Sequence, residues 1–94
     1  MDIRYYLDQR TGAPHIYSHG VTEAEVEFVL ARPGEDRAGR DGSRIAIGRT
    51  SGGRYVRVVY VRGREANGLF VITAMELIGK PLHAYRRRHR KRSR

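Results

Sequence analysis

The sequence of 94 residues contains no cysteine, so neither a disulfide nor a thiolate metal cage supports the fold, and a reducing compartment is expected. No stretch approaches the roughly 20 apolar residues of a membrane span. The opening MDIRYYLDQR lacks the apolar centre of a secretory signal. A cytoplasmic protein without membrane attachment is the expectation. The chain also lacks a P-loop, a dinucleotide-binding fingerprint and a Gly-x-Ser-x-Gly turn, which removes the common nucleotide-binding and hydrolase signatures. His15 and His19 stand four residues apart, but Pro14 and Gly20 flank them and no third ligand has compatible spacing. Neither a metal nor a small-molecule cofactor is expected.

Acidic residues are missing from one place in particular. The formal net charge is +9, and residues 80–94 (KPLHAYRRRHRKRSR) hold eight of the 19 Lys and Arg with no acid. The rest of the chain sets eleven basic against ten acidic groups and is almost neutral. The polyanion signal is therefore terminal, and RNA is the expected partner. Tyr85, Arg86, Arg87, Arg88, Arg90, Lys91 and Arg92 are the candidate nucleic-acid contacts, with His83 and His89 interleaved. A solvated tail that only aids solubility is the plain alternative.

The clearest local pattern is VTEAEVEFVLARPG. Thr22 caps the first turn, Glu25 returns the bond to the cap amide, and Val21 with Val26 forms the flanking apolar clasp. Val26, Val29 and Leu30 follow at helical spacing until Pro33 and Gly34, so a helix is predicted from about Thr22 to Ala31. Thr22→Ala is expected to cost about 1 kcal/mol and Glu25→Ala less. Glu35 to Gly42 has no apolar periodicity and reads as an exposed loop. RIAIGRT, RYVRVVYVR and GLFVITAMEL are rich in β-branched and aromatic residues, and turn-like SGG and GREANG separate them. They predict an antiparallel meander. IRYYLDQR offers a further edge strand, and Pro81 opens a second helix that docks through Leu82 and Tyr85. The expected fold class is α+β: a helix packed on a twisted antiparallel sheet of three to four strands, with a basic C-terminal helix. One domain accounts for residues 1–94, with its core in about 1–85 and a basic segment over 86–94.

Cleavage of RNA through its own 2′-hydroxyl needs only a proton acceptor, cations for the charge on phosphorus and an acid for the leaving oxygen. His19, Arg49, Arg57, Tyr60 and Glu76 are available at strand ends or on the sheet. Arg57 lies among apolar neighbours in the middle strand, either as a phosphate ligand in a shallow groove or as an arginine stretched over apolar surface.

HGVTEAEVEFVL looks like the pattern K-H-G-V-S-x-x-E-A-x-x-V-F, and RIAIGRTSGGRYVRVVYV resembles the R-x-I-A-I-G-R-T-x-x-G-R-x-x-x-V-V-Y run of BrnT-type toxins. FVITAMEL falls where those proteins carry I-I-S-A-R, and its V-I-T-A ending is closer to a related group of BrnT-like domains. The likeness spans roughly residues 19 to 76 and implies a small RelE/ParE-like α+β domain, endoribonuclease activity and a cognate antitoxin. On it, His19 matches the helix-entry histidine, a candidate acid or base, and Arg49 the arginine of the I-A-I-G-R-T box, a phosphate stabiliser together with Arg57. Two positions depart from the pattern: Ser18 replaces a lysine and Met75 replaces the arginine of S-A-R. The rival expectation is a non-catalytic RNA- or DNA-binding or regulatory domain of the same fold. A third is a module whose basic end pairs with an acidic protein.

Overall fold

A computed structural model describes residues 1–65 and 67–90. Five strands form one sheet: β1 (Asp2–Tyr5), β2 (Glu35–Ala38), β3 (Arg44–Arg49), β4 (Tyr55–Arg62) and β5 (Gly68–Glu76), in the order β1-β5-β4-β3-β2. The helices are α1 (Glu23–Ala31) and α2 (Gly79–His89), and a short 3-10 turn covers His15–His19. The predicted meander is present as β3, β4 and β5. The sheet is larger than the three to four strands expected, and it is mixed. β1 runs parallel to β5, from Asp2 opposite Gly68 to Tyr5 opposite Val71. β1 and β2 occupy the two edges, and the chain between them passes over one face as α1.

The predicted loop at Glu35 to Gly42 is corrected over its first half. Glu35–Ala38 pairs with β3, Glu35 opposite Ile47 and Ala38 opposite Arg44. Apolar alternation is absent because this is an edge strand whose side chains make ion pairs instead of core. Asp36 Oδ2 accepts from the Tyr60 hydroxyl at 2.6 Å and Asp36 Oδ1 from Arg44 Nε at 2.9 Å.

α1 starts as its sequence dictates. The Thr22 hydroxyl accepts from the Glu25 amide and the Glu25 carboxylate from the Thr22 amide, both at 3.1 Å. Val21 and Val26 are both fully buried in the core beneath it. That core is built from Val26 and Val29 of α1, Ile16 of the 3-10 turn, and Ala46, Val56, Val58, Tyr60, Val71 and Ala74 of the sheet. Full burial of each valine-sized side chain contributes about 1.5 to 3 kcal/mol. Gly48 permits the close approach, since a Cβ there would lie 3.3 Å from Cγ1 of Val29. A bulge between Val59 and Tyr60 on the β4 side leaves Ile72 unmatched on β5, so Val71 and Ala74 both reach this face despite their odd spacing.

The opposite face carries a smaller core of Ile47, Leu77 and Tyr85, with Ile45, Tyr55 and Leu82 against it. α2 packs there. Gly34 lies directly under it, and a Cβ at Gly34 would collide with the hydroxyl of Tyr85. Among the described residues no helix is long and apolar enough to cross a membrane.

Candidate nucleic-acid interface

α2 begins after Ile78, with Pro81 inside its first turn, where a missing amide costs no helical bond. Side chains three, four and seven apart share a side of a helix. Leu82, Tyr85 and His89 therefore face the sheet. His83, Arg86, Arg87 and Arg90 are exposed and line a shallow depression of about 380 Å³, with Arg86 on the flank nearer the sheet. Tyr85 is only 7 % exposed. Its ring is a docking element of the second core, which corrects the expectation that it meets nucleic acid directly.

Arg49, at the end of β3, points to the same sheet face as α2. Its Nε donates to the Gly53 carbonyl at 3.1 Å, and its guanidinium carbon lies 5.8 Å from the centre of the Tyr55 ring. Arg86 approaches that ring from α2, at 5.3 Å. Among the described residues neither Arg49, Arg86 nor Arg87 has a carboxylate within ion-pair distance.

Arg88 is engaged elsewhere. Its Nε and Nη2 donate to the two oxygens of Glu35 at 2.8 and 2.9 Å. His89 Nε2 lies 3.0 Å from Glu35 Oε1, and Arg37 Nε donates to Oε2 at 3.0 Å. The Arg88 fork, burial notwithstanding, holds the Glu35 carboxyl at about 2, well below the usual range. Arg88 thus fastens the end of α2 to the edge strand β2, with its charge largely spent there. Lys91 and Arg92, the remaining candidate contacts, lie outside the described residues.

Arg57 shares the face of Arg49 and Tyr55 and sits half-buried in β4. Its Nη2 lies 3.7 Å from the sulfur of Met75, and its Nε is buried with no hydrogen-bond partner. Met75 is the cross-strand neighbour of Arg57. An arginine at that position would place a second cation against the first, whereas the thioether offers a soft, weak acceptor.

His19 ends the 3-10 turn on the α1 side of the sheet, where Ile16 enters the larger core. Its ring packs edge-on against His15 at 5.2 Å. Of the three predicted catalytic residues, Arg49 and Arg57 share a face and His19 stands on the other. Tyr60 is 3 % exposed and bonded to Asp36, and burial first, then that bond, raise its pKa. Glu76 Oε1 accepts from Arg54 Nη1 at 3.3 Å.

Two residues central to this arrangement carry no mark in the sequence: Tyr55 looks like any aromatic strand residue, and Glu35 belongs to a charged stretch. Among the described residues no group of three or more His, Asp or Glu is placed to hold a metal ion. No protein-family model, no curated protein and no solved structure matches the chain.

Proposed function

We propose that the protein binds RNA, gripping its phosphate backbone with the outer side of α2 and the adjoining Arg49. The observation that carries this reading is the group of guanidiniums at Arg49, Arg86 and Arg87, none of them matched to a carboxylate among the described residues. Cations kept without acidic partners beside a half-buried aromatic ring suit a repeating anion. The rise of about 1.5 Å per residue spreads Arg86, Arg87 and Arg90 along the helix, so they meet successive charges rather than one. RNA is chosen over DNA on the likeness of the R-I-A-I-G-R-T run to BrnT-type toxins, and the cytoplasm is the compartment that goes with it. The test is the affinity for a short RNA across a series of salt concentrations. Three phosphate contacts predict a slope of log affinity against log salt of about −2 or steeper. Binding that ignores salt would sink the proposal.

A second reading is favoured by one observation, the shared face of Arg49 and Arg57. In it the protein is a BrnT-like toxin, an endoribonuclease using the 2′-hydroxyl, restrained by a cognate antitoxin. Its proton acceptor would have to be a group other than His19 unless the RNA wraps the sheet edge. Product bearing a 2′,3′-cyclic phosphate, lost when the scissile position carries 2′-methoxy, would establish it. Tight binding without such product, with and without ribosomes, leaves the binding module.

A further inference from the structure

We infer that Arg49 and Arg86 form a two-guanidinium clamp for a single phosphate group, with the ring of Tyr55 as their common platform. The inference rests on the RNA-binding reading and specifies how one part of that surface works.

The two arginines come from elements far apart in the chain, the end of β3 and the middle of α2, yet both guanidinium carbons lie within 6 Å of one ring centre. The face of the Tyr55 ring attracts a guanidinium, but it does not neutralise one. Among the described residues neither arginine has a carboxylate within ion-pair distance. Glu76 lines the same depression of about 380 Å³ as Tyr55 and Arg86, and it is already engaged by Arg54. A phosphate has enough oxygens to accept from both forks, which have no acidic partner of their own among the described residues.

The parts of the clamp are held before any ligand arrives. Arg49 Nε is fixed by the Gly53 carbonyl, which leaves its two terminal nitrogens for the ligand. Gly53 takes a φ of 97°, the left-handed conformation that closes the β3–β4 turn and presents that carbonyl. Tyr55 is set opposite Arg49 by strand register and rests on Tyr85, their ring centres 5.7 Å apart. Tyr55 is a positioning residue. A phosphate held this way also ties the sheet to α2.

The experiment is a double-mutant cycle on the full chain, using Arg49→Ala, Arg86→Ala and the pair. Two probes are used, a 12-nucleotide RNA with free hydroxyls at both ends and the same RNA with a 5′-phosphate. Both arginines are exposed, and unchanged thermal transitions serve as the check on folding. Each single change is expected to weaken binding about tenfold, and the double change by little more than either, because both arms close on one group. Tyr55→Leu keeps the apolar packing against Leu82 and Tyr85 and is expected to add nothing to the loss from Arg49→Ala. Coupling with the hydroxyl-ended RNA assigns the clamp to an internal phosphodiester, and coupling only with the other assigns it to a terminal phosphate. Independent losses multiplying to about a hundredfold with both probes would overturn the clamp and leave the RNA-binding reading intact. Failure of the wild type to bind either probe would remove that reading itself.

Discussion

Arg54 joins three elements that the chain order keeps apart. Its Nε and Nη2 donate to the two oxygens of Glu25 at 2.8 and 2.7 Å, Nη2 also donates to the Gly20 carbonyl, and Nη1 reaches Glu76. Glu25 is thus the reciprocal member of the α1 cap and, at once, the partner of a partly buried guanidinium. The fork from Arg54 brings its carboxyl down to about 2. The expectation that Glu25→Ala costs less than Thr22→Ala is reversed by this contact. Thr22→Ala removes one cap oxygen and should cost about 1 kcal/mol. Glu25→Ala also leaves Arg54 without its main partner and should cost about 2 kcal/mol, the scale of charge-assisted bonds. Chemical denaturation of the two variants checks the order. An equal or smaller loss for Glu25→Ala would mean that Arg54 is solvated well enough to do without it. The cap itself was legible from T-x-x-E, whereas the Arg54 contact spans 29 residues and no local pattern encodes it.

α2 is held at two points, by Leu82 and Tyr85 over the sheet and by Arg88 and His89 on Glu35. A boundary at residue 85 therefore falls within the helix and cuts away its second anchor. Deleting residues 86–94 would remove docking contacts along with the proposed phosphate contacts, so point substitutions are the cleaner probe. The anchor has a pH signature. Because the folded Glu35 carboxyl lies near 2, below its unfolded value of about 4.3, the stabilisation is complete above roughly pH 5 and is lost as pH falls toward 2. Glu35→Gln should lower Tm near neutral pH, and the gap to wild type should close on acidification. A gap of constant width from pH 7 to pH 2.5 would show that the charge of Glu35 is not what holds α2. The existence of α2 and its docking residues could be read from Pro81, Leu82 and Tyr85. The strand that receives its far end could not, because Glu35–Ala38 becomes a strand only by pairing with β3 and carries no alternation of its own.

The molecule sorts its charge by face. α1 covers one side of the sheet with acids in its first turn, while α2 covers part of the other and leaves Arg86, Arg87 and Arg90 exposed. The order β1-β5-β4-β3-β2 produces this, since the chain crosses from edge to edge as α1, returns through the meander and ends with α2 on the opposite face. Sequence periodicity gave the helices and the three meander strands, each of which has a local signal. It could not show that β1 lies parallel to β5, nor that His19 and Arg49 fall on different faces, because both depend on the crossover. In the proposed function, position and not net charge alone makes the outer side of α2 the surface that takes RNA. The most direct test compares two variants of equal charge, Arg86→Gln with Arg87→Gln on α2 and Arg10→Gln with Arg64→Gln away from it, all four exposed. Titrated with the same RNA over a range of salt, the α2 pair should lose affinity and flatten the log–log slope by about 1.4, at roughly 0.7 for each phosphate contact, while the control pair keeps close to the wild-type slope. Equal slopes for the two variants would contradict the account and leave only a general attraction between a basic protein and an acidic polymer.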